Sequence, residues 1–131
     1  MMYDPKAVSR LGRSITSAVF KDQSAGSNFV SEIIHYDWLI RCLTLQGYIT
    51  ADPNNIGLYP VGELKVQLSI IDNVWSDLVG CQPIKVDFST ANEFMFIIPE
   101  QTAYAGMLRL VWTAGAGSSG TITVYQRMMP V

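Results

Sequence analysis

The stretch that decides the fold is Met107-Leu-Arg-Leu-Val-Trp-Thr113, followed by Ala114-Gly-Ala-Gly-Ser-Ser-Gly120 and then by Thr121-Ile-Thr-Val-Tyr-Gln-Arg127. Two runs in which apolar and polar residues alternate flank a loop of small residues, a pattern typical of a β-hairpin. The apolar positions of both runs fall on one face: Leu108, Leu110, Trp112, Ile122 and Val124. Because one strand pair buries too little apolar surface to stay folded alone, this face needs a second sheet. The stretch therefore predicts a β-sandwich.

The loop between these runs contains the spacing G-x-G-x-x-G, at Gly115, Gly117 and Gly120. This motif binds dinucleotides when a strand precedes it and a helix follows it. Here the residues that follow are Thr121-Ile-Thr-Val-Tyr125, which are β-branched or aromatic and favour a strand. We therefore expect a turn that uses the conformational freedom of glycine, and no cofactor.

The middle of the chain repeats the same kind of pattern. Short alternating or apolar runs lie between turn signals, at Leu64–Ile70, Val74–Val79, Ile84–Phe88 and Phe94–Ile98. Ala51–Pro60 and Ser89–Asn92 carry the Asp, Asn, Pro and Ser residues of loops and turns. Many short strands without intervening helices predict an all-β protein, an antiparallel β-sandwich or jelly roll.

The segment Phe29–Thr50 is ambiguous. Asn28 could cap a helix whose apolar residues have helical spacing: Val30, Ile33, Ile34 and Trp38. The high content of aromatic and β-branched residues favours strands instead. We predict two strands with a break near Tyr36-Asp37, and the helical alternative stays open.

The first 28 residues differ from the rest because they are polar and contain few residues able to enter a core. We predict an extended N-terminal arm over residues 1–28, with one short strand near Ile15–Phe20, and a sandwich domain over residues 29–131. The arm carries more basic than acidic residues, including Lys6, Arg10 and Arg13. Such an arm either lies over its own subunit or reaches a neighbour.

The composition suggests a surface that is partly covered. The chain has 131 residues, enough for one domain, with 49% hydrophobic but only 15% charged residues, against a typical charged share of about 25%. Interface cores are depleted of charge, so we expect assembly with other subunits. An ordinary sandwich with a Ser-, Thr- and Gln-rich face remains an alternative. The net charge of −2 does not favour nucleic acid, and apolar runs such as Phe94–Ile98 are too short to span a membrane.

Residues that could carry chemistry are few and scattered. His35 is the single histidine, and with Glu32 and Asp37 nearby it falls short of a metal site. No G-x-S-x-G motif occurs, and Asp72, Asp77 and Asp87 are best explained as turn residues. We therefore expect no enzyme activity and no catalytic, metal or cofactor site.

The two cysteines, Cys42 and Cys81, have no close spacing and no companion cysteines. The amino terminus does not have the pattern of a signal peptide, so we expect reduced thiols in a protein made in a cytoplasm. A Cys42–Cys81 disulfide remains open.

Among the aromatic residues, Tyr59 and Trp75 lie at predicted loops and form the one pair expected to be exposed. An exposed pair could stack on a sugar, but packing in a core or interface is favoured because large aromatics dominate both environments. The candidate partner-binding residues are Lys6, Arg10, Arg13, Phe20, Tyr59 and Trp75.

The part from Leu64 to Arg127 resembles small jelly-roll virion proteins of tailed bacteriophages, of the head cement or decoration type. In that family a strand ending in proline precedes a "hydrophobic-Arg-hydrophobic-x-[Tyr/Trp]-Thr" strand and a "Gly-x-[Ile/Val]-Thr" strand. Here Phe94-Met-Phe-Ile-Ile-Pro99, Leu108-Arg-Leu-Val-Trp-Thr113 and Gly120-Thr-Ile-Thr123 match these patterns. The resemblance covers about half the chain, and its motifs are shared with other sandwiches.

The resemblance implies a structural virion protein, a capsid cement or decoration protein that binds across neighbouring major capsid subunits and stabilises the head. It also implies a homo-oligomer, a dimer or trimer, located in the virion after assembly in the bacterial cytoplasm. No catalytic residues are carried over. Two alternatives stay open: a tail or fibre component that binds host glycan, and a minor capsid or connector protein.

Overall fold

The computed structural model describes residues 15–36, 40–55, 57–71, 73–81, 85–88, 93–99 and 106–130. These residues form strands and loops without a helix. The strands are β1 Ile15–Ser24, β2 Phe29–Val30, β3 Ile34–Tyr36, β4 Ile40–Thr50, β5 Gly62–Ile71, β6 Val74–Asp77, β7 Lys85–Phe88, β8 Glu93–Ile98, β9 Gly106–Ala114 and β10 Thr121–Pro130.

The strands form two sheets that pack face to face. Sheet A has the order β1-β10-β4-β8. In sheet B the inner strands are β9 and β5, with β2 and β3 along the outer side of β9 and β6 and β7 along the outer side of β5. Every pairing is antiparallel. The predicted all-β antiparallel sandwich is confirmed.

The pairings are nested along the chain. β1 pairs with β10, β2 and β3 with β9, β4 with β8, and β5 with β6 and β7. Such nesting results when one long antiparallel ribbon is wrapped into two layers, as in a jelly roll. The jelly-roll form of the sandwich stays a prediction, which this strand order supports.

The predicted carboxyl-terminal hairpin is wrong, because β9 and β10 belong to different sheets. β9 pairs with β5, whereas β10 pairs with β1 and β4. Their connecting loop carries the chain from one sheet to the other, with positive φ angles at Gly117 and Gly120. The prediction of the buried face holds: Leu108, Leu110, Trp112, Ile122 and Val124 are all fully buried. These side chains meet from opposite sheets rather than across a turn.

The core lies between the sheets and is built from alternate residues of the inner strands. β4 and β8 contribute Leu43, Leu45, Phe94, Phe96 and Ile98, and β5 and β9 contribute their own alternate positions. Trp112 is the largest fully buried side chain among the residues that the structure describes. Its indole Nε1 donates to the carbonyl oxygen of Ala25 at 3.1 Å, so the polar edge of the ring is satisfied inside the core.

Strands, not a helix, occupy the described part of Phe29–Thr50. We predicted two strands, and the structure has β2, β3 and β4, while residues 37–39 at the predicted break lie outside the described residues. The additional interruption falls at Ser31, whose Oγ accepts the amide of Leu110 at 2.8 Å. A side chain thus replaces a backbone partner between two short edge strands.

The short strand predicted near Ile15–Phe20 is longer in the structure and is an edge strand of sheet A. β1 continues to Ser24, and Ala25 beyond it is fully buried, with its amide bonded to the Gly120 carbonyl at 3.0 Å. Residues 15–25 are therefore part of the sandwich. Residues 1–14 of the predicted arm lie outside the described residues, and the division into arm and domain stays a prediction.

The remaining strand predictions agree with β5, β6, β7 and β8 to within a few residues. β6 is shorter than the segment predicted as strand or turn, since it ends at Asp77. The predicted turn at Ser89–Asn92, and Asp72 and Ile84, lie outside the described residues.

Candidate interaction surfaces

The residues predicted to bind partners are not brought together. Lys6, Arg10 and Arg13 lie outside the described residues. Phe20 on β1 is half-buried, and its ring lies 5.3 Å from that of Phe29, edge to face at 86°. Since this contact joins sheet A to sheet B, Phe20 has a packing role within the subunit.

Tyr59 and Trp75, the proposed sugar-stacking pair, lie at opposite ends of β5. Tyr59 is 41% exposed in the loop that precedes β5. Trp75 lies in β6 next to Ser76, which pairs with Leu68. The length of β5 from Gly62 to Leu68 alone separates the two by roughly 20 Å. They do not form one platform.

The outer face of sheet B carries a connected set of charged and polar side chains. Lys85 contacts Glu63 at 3.0 Å, and Lys65 contacts Asp77 at 3.1 Å. Gln67 donates to Asp77 at 3.0 Å and accepts from Arg109 at 2.9 Å. The Arg109 guanidinium in turn lies 4.2 Å from the centre of the Trp75 ring. One side of the Trp75 ring is thus already occupied by a cation.

This network also stabilises the ionised form of the Asp77 carboxyl. The hydrogen bond from Gln67, followed by that from Lys65, lowers the pKa of the Asp77 carboxyl. The carboxylate is held in its ionised form by partners on β5, the neighbouring strand. The charges along β5, β6 and β7 on the outer face of sheet B therefore compensate one another.

The outer face of sheet A differs in character. On its inner strand β4, the outward side chains that the structure describes are all uncharged, namely Thr44, Gln46, Tyr48 and Thr50. Beside them on β8, Met95 is 42% exposed and Ile97 is 56% exposed, and Tyr48 itself is 43% exposed. Charged residues also share this side of the sheet, among them Lys21, Glu93 and Arg127.

A groove crosses this face. It has a volume of about 510 Å³ and is lined by Thr16, Gln46, Gly47, Tyr48, Glu93 and Tyr125. Gly47 is one of the lining residues, and a Cβ added there would collide with the Thr123 backbone and the Phe94 ring. The groove thus combines two aromatic rings with hydroxyl, amide and carboxylate groups.

This surface was not predicted from the sequence. The segment Phe94–Ile98 is apolar at every position, so the sequence gives no sign that Met95 and Ile97 face outward while Phe94, Phe96 and Ile98 face the core. The alternation in Leu43–Thr50 is a weaker signal that could have located Gln46 and Tyr48. The face is visible only once both strands are placed side by side.

The loops at one end of the sandwich form a hydrogen-bonded junction rather than an open site. Ser118 Oγ donates to the Ala25 carbonyl at 2.7 Å and accepts from the Val61 amide at 3.0 Å. Ser119 Oγ donates to Asp52 at 2.6 Å, and this bond is the first cause that lowers the pKa of the Asp52 carboxyl. The G-x-G-x-x-G segment is therefore a loop, as predicted. Its serines are hydrogen-bonded to three other connecting segments, at Ala25, Asp52 and Val61.

The residues considered for chemistry are dispersed. His35 is exposed on β3 opposite Met107, and Asp37 lies outside the described residues, as do the side chains of Asp87 and Cys42. Cys81 is buried in the core, so the question of a Cys42–Cys81 disulfide stays open. Within the described ranges, His, Cys, Asp and Glu form no group of three that could hold a metal ion. Nor does that part of the chain include a helix long and apolar enough to cross a bilayer.

Comparison with known proteins gives a likeness in fold. No protein-family model matches the chain, and no curated protein matches its sequence. The crystal structure of the SPBc2 prophage-derived protein YomS matches with a TM-score of 0.61, over 88% of this chain and 91% of that one. The fold is similar to that of YomS. The two sequences are 12% identical, so the likeness concerns the fold alone.

Proposed function

We propose that this chain is a structural virion protein of a bacteriophage that binds across neighbouring major capsid subunits and stabilises the head. The observation that carries the proposal is the difference between the two outer faces. Along β5, β6 and β7, sheet B exposes charges that compensate one another, whereas the described outward side chains of β4 in sheet A are uncharged and include Tyr48, beside half-exposed Met95 and Ile97. A face of this kind is suited to burial against a partner.

Two further facts support a phage structural role. The fold is similar to that of a protein whose name identifies it as prophage-derived. The carboxyl-terminal motifs that resemble cement proteins lie in β8, β9 and β10, which are all part of the sandwich. The proposal includes self-association as a dimer or trimer and location in the virion. It includes no enzymatic activity, metal, cofactor, membrane or nucleic-acid partner.

The proposed contact surface is the outer face of sheet A, with the N-terminal arm as a second contact. Small contributions repeated over many copies stabilise a shell when binding favours the assembled state. The minor capsid or connector alternative would use the same face and differ in copy number and location.

The proposal is tested by co-sedimentation of the purified chain with heads of the phage that encodes it. Gln46→Lys adds a charge to the middle of the outer face of sheet A, and Thr113→Lys adds the same charge to the exposed outer side of β9 in sheet B. Burying an unpaired charge is costly, so Gln46→Lys should weaken binding about tenfold. Thr113→Lys should bind like the wild type.

Equal binding by both variants would show that the outer face of sheet A does not contact the capsid. Absence of binding by the wild-type chain would reject the cement function itself. A chain lacking residues 1–14 isolates the contribution of the arm, because this deletion leaves β1 intact.

The glycan-binding alternative loses its original basis, since Tyr59 and Trp75 lie far apart. If the wild type binds to a glycan array and Tyr48→Ala does not, the groove on sheet A is the glycan-binding site. That result would count against a capsid contact at the same face.

A further inference from the structure

The four edges of the two sheets are not equally protected against pairing with another chain. An edge strand exposes unpaired backbone donors and acceptors, and proteins protect such edges with short strands, bulges, charged residues or proline. Sheet B has edges broken into short pieces, with β2 and β3 of 2 and 3 residues and β6 and β7 of 4 residues each. β6 and β7 also carry Asp77 and Lys85 in cross-strand ion pairs.

β1, one edge of sheet A, is protected in a different way. Its register against β10 shifts twice, between Ala18 and Phe20 and again between Phe20 and Gln23. Asp22 has a positive φ of 48°, and Lys21 next to it supplies a charge. Irregularity and charge together make this edge a poor template for a further strand.

β8, the other edge of sheet A, has such features only at its ends, where Glu93 begins the strand and Pro99 follows it. It pairs with β4 in an unbroken register over all 6 residues, from Glu93 to Ile98. Its one charge is at the first position, and the next five residues are apolar, with Met95 and Ile97 exposed. An edge strand with a regular register and an apolar sequence is the kind that takes up another strand.

We propose that β8 pairs with β8 of a second copy of this chain, antiparallel and about a two-fold axis through Phe96, so that the two A sheets join. In an antiparallel pair, residues directly opposite each other point to the same face. With Phe96 on the axis, Met95 faces Ile97 of the second copy, and Phe94 faces its Ile98. Outward residues thus meet outward residues, and core residues meet core residues.

The sequence of β8 favours this register and favours a copy of itself as the partner. All five apolar positions pair with apolar positions, and Glu93 comes to lie beside Pro99 of the second copy. Proline has no amide hydrogen, so it ends the ladder at both ends. The two Glu93 carboxylates are then roughly 20 Å apart. An axis through Met95 would instead place Glu93 against Ile97.

This inference deepens the self-association included in the proposed function, but it concerns β8 and not the capsid contact. The two fail separately. A dimer that does not bind heads would retain the inference and reject the cement role. A monomer that binds heads would reject the inference and retain the cement role.

The experiment is light scattering coupled to size-exclusion chromatography over a range of protein concentrations. The wild type should approach twice the 14.5 kDa mass of the chain. Met95→Lys with Ile97→Lys should raise the dimer dissociation constant at least about tenfold, because like charges would face each other across the axis. The control, Ile70→Lys with Ile71→Lys, changes two residues of similar class at the end of β5, which are 70% and 61% exposed, and should dimerise like the wild type.

A second measurement adds no charge and fixes the register. A mixture of Met95→Cys and Ile97→Cys chains should form a disulfide between positions 95 and 97 on mild oxidation, whereas Met95→Cys alone should not link to itself through that position. Linking of Met95→Cys to itself would contradict the axis through Phe96. A monomeric wild type, or a dimer unaffected by the lysine pair on β8, would overturn the proposal.

Discussion

At the residue scale, the sandwich depends on a few positions where backbones approach closely. Gly120 has a positive φ of 85°, and a Cβ there would collide with the Thr50 carbonyl oxygen and lie 2.9 Å from Cδ of Pro60. It is the point at which the chain leaves the β9–β10 loop and enters sheet A. The glycine therefore meets two requirements at once, a left-handed conformation and a lack of space.

Gly57 provides a control for separating these requirements. Its φ is 87°, nearly the same as at Gly120, but nothing lies within 4 Å of a Cβ added there. Gly57→Ala should lower the free energy of unfolding by about 1–2 kcal/mol, the cost of the left-handed conformation. Gly120→Ala should lower it by a further 1–3 kcal/mol or so, because the backbone must also shift. Chemical denaturation measures both, and equal losses would contradict the close approach.

At the scale of elements, the contact between β1 and β2 makes the amino-terminal strand part of the sandwich. The rings of Phe20 and Phe29 contact each other edge to face. The centre of the Phe29 ring lies 6.5 Å from the centre of the Trp112 ring. β1 is thereby attached to the core from sheet A, while β2 belongs to sheet B. A detached arm would show no such coupling.

A double-mutant cycle tests this contact. Phe20→Leu and Phe29→Leu should each destabilise the protein, with a coupling free energy of about 0.5–1.5 kcal/mol between them. Phe20→Leu and Phe94→Leu form the control pair, since β1 and β8 lie at opposite edges of sheet A and the effects should add. Coupling in the control pair, or additivity in the first, would be inconsistent with the packing.

At the scale of the whole molecule, both sheets are closed by strands that are distant in sequence. β10 pairs with β1, and most of the paired residues are more than 100 positions apart, as in the bond from the Asp22 amide to Thr123 Oγ1 at 3.0 Å. β10 also pairs with β4, so sheet A depends on the last described segment of the chain. Folding should therefore be cooperative over the entire chain.

Truncation tests this dependence. A chain ending at Gly120 lacks β10 and should lose the cooperative unfolding transition, because β1 and β4 are no longer joined. A chain ending at Met128 loses only the last pairs of the ladder and should keep the transition. Circular dichroism during thermal unfolding distinguishes the two, and a cooperative transition in the shorter chain would contradict the topology.

Alternation in single strands was sufficient to predict the fold class and much of the core. Leu108, Leu110 and Trp112 were assigned to a buried face from their period alone, and they are buried. The position of β5 followed in the same way, that of β8 followed from an apolar run that ends at Pro99, and Thr121–Tyr125 identified the glycine loop as a turn. These predictions succeed because side-chain direction along a strand is a local property of the backbone.

Which strands are neighbours was decided only in the tertiary structure. β9 and β10 had the pattern of a hairpin, yet each pairs with strands distant in sequence, because a loop with two left-handed glycines can cross between layers as readily as it can turn back. The outer face of sheet A, with its uncharged β4 side chains beside Met95 and Ile97, likewise results from placing β4 beside β8. The sequence by itself determined that strands would form and which sides they would bury. The pairing of those strands, and hence the surfaces left for partners, depended on contacts between residues far apart in the chain.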